Sequence, residues 1–223
     1  MLLTKHEHAC VTLDKGEGRV VVDPGHLASQ EVATGALAIF VTHEHPDHLS
    51  EETLRAACAA EPALRIFTNA SVAERLVDLG PCVQVVTEGD RFTVAGFDVE
   101  VHGRWHATVH PDLPRVANVG FLLDGELLAP GDALMLPPTR VRTVLAPIHA
   151  PWSRTADVID WLRELGPDAA VGVHDGALTD WGLATVDRLL GQDGPGTGCH
   201  YVRPAVGQTL DTLTLHQPGA DRM

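Results

Sequence analysis

Short apolar runs alternate with stretches of helical periodicity along most of the chain. ACVTLD (9–14) and RVVVDP (19–24) are β-rich runs separated by KGEG, a hairpin signal. LAIFVT (37–42) is apolar without interruption, which predicts a strand covered on both faces. SEETLRAACAA (50–60) reads as a helix with Ser50 as N-cap and two glutamates in its first turn. LRIFTN (64–69) returns to strand, and SVAERLVDLG (71–80) to a helix stopped by Gly80-Pro81.

The texture then changes. VQVV, RFTV and FDVEVHG are short strands, and VGFLLDGELLAPGD (119–132) is a hairpin bending at Asp124-Gly125. After residue 140 the βα rhythm resumes: strand 143–148, helix 154–165, strand 169–174 and helix 178–191. A glycine-rich loop (191–198) leads to HYVRP and QTLDTLTL at a sheet edge. Two sheets packed face to face with helices outside fit this order. No linker separates independent units, so a single domain is expected over residues 1–223.

Composition sharpens this picture in a few places. A hydrophobic fraction of 44% with 21% charged residues is that of a folded chain, not a disordered one. No apolar run reaches the roughly 18–20 residues that span a bilayer. The start, MLLTKHEHAC, lacks a basic segment followed by an apolar one, so a cytoplasmic location with no membrane partner is expected. The net charge is −14 and the 16 basic residues are dispersed, so no nucleic-acid partner is expected either. Cys10, Cys58, Cys82 and Cys199 lie far apart with no CxxC pair and read as buried reduced thiols. The outlier is histidine, with 13 copies.

Position decides which histidines matter. THEHPDHLS (42–50) follows the predicted buried strand and gathers His43, His45, Asp47 and His48 at one bend. The HxHxDH spacing lets His43 and His45 face one point while Asp47 and His48 reach a second. Neutral imidazoles with a carboxylate suit zinc and its first-row relatives. Asp132, in APGDA just past a strand, can offer one carboxylate oxygen to each of two metals, although aspartate is also an ordinary turn residue. His174 follows AAVGV at another strand end. His102, His106 and His110 recur every fourth residue in a segment too rich in Gly, Pro and β-branched residues for a helix, so only one of them is expected near a metal.

The loop Thr42–His48 resembles the signature of the metallo-β-lactamase superfamily. HACVTLD…GRVVVDPG, WHATVH…NVGFLLDGELLAPGDA and VGVHDG resemble, in order, further motifs of the branch that includes ascorbate-6-phosphate lactonase. The resemblance implies an α/β fold, a four-layer αββα sandwich of two mixed β-sheets with helices on the outer faces. It implies one metal on His43, His45 and His106 and another on Asp47, His48 and His174, with Asp132 and a hydroxide bridging them. It favours His106 over its rival His110, through the WH pattern, and gives Asp23 the task of orienting the metal loop.

Two divalent ions are expected, Zn²⁺ first, with Mn²⁺ or Fe²⁺ as alternatives. Relatives that handle dioxygen with two irons carry an acidic residue where His45 stands, so hydrolysis is preferred. Asp47, Asp132 and His149 are the expected catalytic residues, with His149 as a proton donor or oxyanion partner. His8 could line the pocket or cap a strand, and Trp105 and Trp152 could form a pocket wall. His6, His26, His200 and His216 receive no role. The expected activity is hydrolysis of a small, anionic lactone, ester or phosphoester. The rivals are a nuclease on the same scaffold and a metal-binding protein without chemistry.

Overall fold

The computed structural model describes residues 1–216; residues 217–223 of the expected domain span lie outside it. Two seven-stranded mixed sheets pack face to face. The first is built from β1 (Leu2–Lys5), β2 (Val11–Lys15), β3 (Gly18–Val22), β4 (Ala38–Val41), β5 (Arg65–Thr68), β6 (Val83–Val85) and the late β14 (Thr209–Asp211). Its order is β14-β1-β2-β3-β4-β5-β6. The second contains β7 (Arg91–Val94), β8 (Phe97–His102), β9 (Gly120–Leu123), β10 (Leu127–Ala129), β11 (Thr143–Pro147), β12 (Ala169–Val173) and β13 (His200–Val202). They lie in the order β13-β12-β11-β10-β9-β8-β7.

The continuous apolar strands are explained by what covers their two faces. In β4, Ala38 and Phe40 point between the sheets, while Ile39 and Val41 point outward against α1 (Glu51–Ala60) and α2 (Ala70–Arg75). Phe121 and Leu123 of β9 enter the same inner layer, where the Phe40 and Phe121 rings lie 4.8 Å apart. Leu122 faces the other way, into the layer under α3 (Thr155–Leu165) and α4 (Asp180–Leu190). A period of two on strands apolar at both phases therefore produces three apolar layers and the αββα sandwich.

Local signals act as expected at several ends. Ser50 Oγ accepts from Thr53 N and caps α1. Asp124 and Gly125 take positive φ (54° and 64°) at the β9–β10 bend, the conformation a tight hairpin requires.

Two expectations are corrected, and one strand is added. The helix expected over 71–80 is broken: α2 ends at Arg75, and a 3-10 segment (Val77–Cys82) follows with Gly80 at φ 51°. The added strand is β1, four residues ending in a lysine, too short to show a period. Cys58 and Cys82 are joined by a disulfide, tying α1 to the end of that 3-10 segment; Cys10 and Cys199 are free. Among the described residues no helix is long and apolar enough to cross a membrane.

Candidate metal centre

The expected ligands gather where strands of both sheets end. β4 delivers Thr42 and the loop to His48, β10 leads to Asp132, and β12 ends one residue before His174. His106 lies between β8 and β9, its backbone N donating to Val116 O and that of Ala107 to Asp132 O. Two groups of candidate ligand atoms result, each within 4.8 Å of one another: His43, His45, His106 and Asp132; and His8, Asp47, His48 and His174. Asp132 reaches both, with Oδ1 3.2 Å from His48 Nε2 and Oδ2 3.2 Å from both His106 Nε2 and His174 Nε2.

Partners on the far side of each ring fix its tautomer. Asp23 accepts from Thr42 N (2.8 Å) and Thr42 Oγ1 (2.9 Å). With its proton so committed, Thr42 Oγ1 accepts from His43 Nδ1 at 3.0 Å. His48 Nδ1 donates to Asp23 Oδ2 at 2.8 Å, and His174 Nδ1 to the His149 carbonyl at 2.6 Å. The Ala107 carbonyl accepts from His106 Nδ1. In all four, Nδ1 carries the proton and Nε2 presents a lone pair to the centre, the outer-partner logic of metal-binding histidines.

Those lone pairs face one another or face carboxylate oxygens. His43 Nε2 is 3.1 Å from His45 Nδ1, and His174 Nε2 is 3.4 Å from Asp47 Oδ2. His48 Nε2, His174 Nε2 and Asp132 Oδ1 are buried without a hydrogen-bond partner, although the first two lie within 3.2 Å of an Asp132 oxygen. Such groups are costly unless something positive sits among them. Donors about 2.1 Å from a tetrahedral ion stand about 3.4 Å from each other, close to the spacings here. The residues fit a pair of cations.

The electrostatics agree. Burial, then the charge of His48, pushes His43 well below its ordinary pKa; burial, then His106, lowers His45. Burial opposes charge on His48 and His174 too, but the adjacent carboxylates win. Asp132 and Asp23 raise His48 well above its usual value, and Asp132 and Asp47 raise His174 to about 9. Burial likewise works against ionised Asp132 and Asp47. It is outweighed by His48, His106 and His174 around Asp132, and by His174 and His8 around Asp47; both stay below the carboxylate range. Without metal, protons occupy part of the place a cation would take.

The backbone around the centre is strained. Asp23, His174 and His8 all have positive φ (48°, 62° and 60°), which costs non-glycine residues on the order of 1–2 kcal/mol each. A Cβ at Gly131, beside Asp132, would overlap Asn118 Oδ1 and the Thr42 side chain, so glycine is required there. Lys5, only 1% exposed, pairs with Asp175 at 3.0 Å and holds the strand end carrying His174 against the first sheet.

The sequence alone leaves His8 between lining the pocket and capping a strand. Its Nδ1 accepts from Gly176 N (3.0 Å), so Nε2 carries the proton and donates to Asp47 Oδ2 (3.1 Å). That tautomer orients Asp47 and has no lone pair left for a metal. Trp152 similarly donates Nε1–H to Asp132 Oδ2 at 2.8 Å.

The remaining histidines that the sequence singles out are not among these ligands. The imidazole of His149 belongs to neither ligand group, and its carbonyl is what meets His174. His110 is exposed and its Nδ1 accepts from Asp112 N; His102 lies near Glu100. Neither reaches the centre.

A β-lactamase superfamily domain matches residues 2–174. The chain belongs to the β-lactamase superfamily. Protein Rv0786c of Mycobacterium tuberculosis is 33% identical over 180 residues, covering 78% of this chain and 84% of that protein. Among solved structures, Igni18, a metallo hydrolase from Ignicoccus hospitalis, superposes with a TM-score of 0.72 at 14% identity, covering 94% and 97% of the two chains. CmlA, a diiron β-hydroxylase from Streptomyces venezuelae, gives 0.65 at 18% identity, covering 94% of this chain and 53% of its own. A fold that serves both chemistries leaves the reaction to the site.

Proposed function

We propose that the protein is a dinuclear metal-dependent hydrolase acting on a small, anionic lactone or ester, with phosphoesters as the second substrate class. The observation that carries this reading is that Nε2 of His48, Nε2 of His174 and Oδ1 of Asp132 are buried together without a hydrogen-bond partner, at the point where the two ligand groups meet. His43, His45 and His106 would hold one divalent ion, Asp47, His48 and His174 the other, and Asp132 both; Zn²⁺ suits this nitrogen-rich set, with Mn²⁺ or Fe²⁺ as alternatives. When bound, such a pair supplies Lewis acidity, which acidifies water and polarises a carbonyl or phosphoryl oxygen.

The chain's own residues supply orientation. Asp23 and Thr42 set the His43 and His48 rings, while His8 and Trp152 hold the Asp47 and Asp132 carboxylates. A histidine at position 45, where diiron oxygen-using relatives have a carboxylate, supports hydrolysis over oxidation. The lactone and ester preference rests on likeness to the lactonase-containing branch.

The test is turnover of lactone, ester and phosphodiester panels by protein whose metal content is known. Turnover lost at least 100-fold in Asp132→Ala and His45→Ala supports the reading. Metal-replete protein inert across all three panels contradicts it.

A further inference from the structure

Beside the metal centre lies an open hollow of about 410 Å³, the size of a small-molecule site. Trp105, Trp152, Leu134 and Met135 supply apolar walls, and Arg115 a cation. The hollow abuts the centre. Ala107 and Ala133 on its lining are the chain neighbours of His106 and Asp132, and Trp152 Nε1 donates directly to Asp132. Trp105 is 52% exposed, a large ring left half in water at the mouth of the site.

Arg115 is the informative group. Its Nε donates to the His106 carbonyl at 2.6 Å, and its Cζ stands 5.9 Å from the centre of the Trp105 ring. Both contacts fix the guanidinium in place. Among the described residues no carboxylate pairs with it, which leaves its Nη edge available. Asp157, the carboxylate on the lining, is taken by Arg154, whose Nη2 and backbone N donate to it at 2.6 and 2.9 Å. In a chain of net charge −14, a pinned cation beside two indoles and next to a reactive centre is a selective feature. Guanidinium binds carboxylate through two parallel hydrogen bonds, and indole faces cover flat apolar groups.

We propose that this hollow receives the body of the substrate as a planar, apolar group bearing one carboxylate, with Arg115 taking the carboxylate and Trp105 and Trp152 covering the ring. This rests on the hydrolase reading for the placement of the scissile bond over the metal centre. The recognition itself can be measured without turnover.

Calorimetry on the metal-loaded protein would compare 2-naphthoate with 2-naphthamide, which have the same ring with and without charge. Naphthoate is expected to bind about 10-fold more tightly, the worth of a charge-assisted hydrogen-bonded pair. Arg115→Gln should bring the ratio toward one, and Arg115→Lys should keep part of it. Trp105→Ala should weaken both ligands by a similar factor of about 10. Arg115 also holds the His106 carbonyl, so metal per chain is measured in every variant. If Arg115→Gln loses metal, Arg115→Lys and Trp105→Ala decide. Equal binding of the two ligands in wild type would overturn the proposal. So would a preference that survives Arg115→Gln, since the cations alone would then be holding the carboxylate.

A kinetic arm separates this proposal from the reaction assigned above. Phenyl acetate and 4-carboxyphenyl acetate should differ in KM in favour of the acid, and the ratio should collapse in Arg115→Gln. Arg115-dependent naphthoate binding with neither ester hydrolysed would leave the pocket standing and remove the hydrolase. Hydrolysis of both esters at one KM would do the reverse.

Discussion

At the residue scale, the proton on each imidazole matters more than the position of the ring. His43, His48, His106 and His174 spend Nδ1–H on an outer partner and keep Nε2 for the centre, whereas His8 does the opposite. His8→Ala should therefore leave all seven expected ligands in place and loosen Asp47. Metal at the Asp47–His48–His174 position should bind 10–100-fold more weakly, as seen when outer partners of metal ligands are removed. Competition with a graded chelator reads this out; affinity equal to wild type at both positions would show that His8 positions nothing.

A second expectation concerns protons in the metal-free protein. There the folded pKa of His174 is about 9 against an ordinary 6.5, and His48 shifts the same way. A raised folded value stabilises fully below 6.5 and is lost as pH climbs through about 9. Chelated protein should melt at progressively lower temperature across that interval. Metal-loaded protein should not, because the cation replaces those protons. A flat profile for the chelated form would contradict the assignment. The metal loop was legible in sequence because its chemistry lies in side-chain identity over seven consecutive positions. His8 was not, because its tautomer is set by Gly176 N, 168 residues away.

At the scale of elements, the βα units were legible because strands apolar at both phases and capped helices have distinct periods. The helix expected at 71–80 fails at Leu76, beyond which a 3-10 turn and Gly80 at φ 51° redirect the chain. That redirection brings Cys82 to Cys58, so the error about the helix and the error about the thiols have one origin. The disulfide closes a sequence separation of 24, worth about 3.5 kcal/mol in the chain-entropy account. Reductant should lower the denaturation midpoint of the metal-loaded protein accordingly, and Cys58→Ala should abolish the response. A midpoint indifferent to reductant would mean the bond contributes nothing to stability.

At the scale of the whole molecule, the centre exists because strands of two sheets terminate together. Asp23, the metal loop and His8 come from the first sheet's strand ends and turns; His106, Asp132 and His174 come from the second. Lys5 and Asp175 join the sheets beside them, at 1% and 9% side-chain exposure. Breaking so buried a pair typically costs about 3–5 kcal/mol. No local pattern in the sequence announces this pair, since its partners are paired only by the topology.

Counting metal by elemental analysis, on protein purified without added metal and then titrated with Zn²⁺, tests the central claim most directly. Two ions per chain are predicted for wild type, and removal of the shared carboxylate in Asp132→Ala should weaken both. Saturation at fewer than two ions per chain, or two ions held with unaltered affinity in Asp132→Ala, would contradict the account.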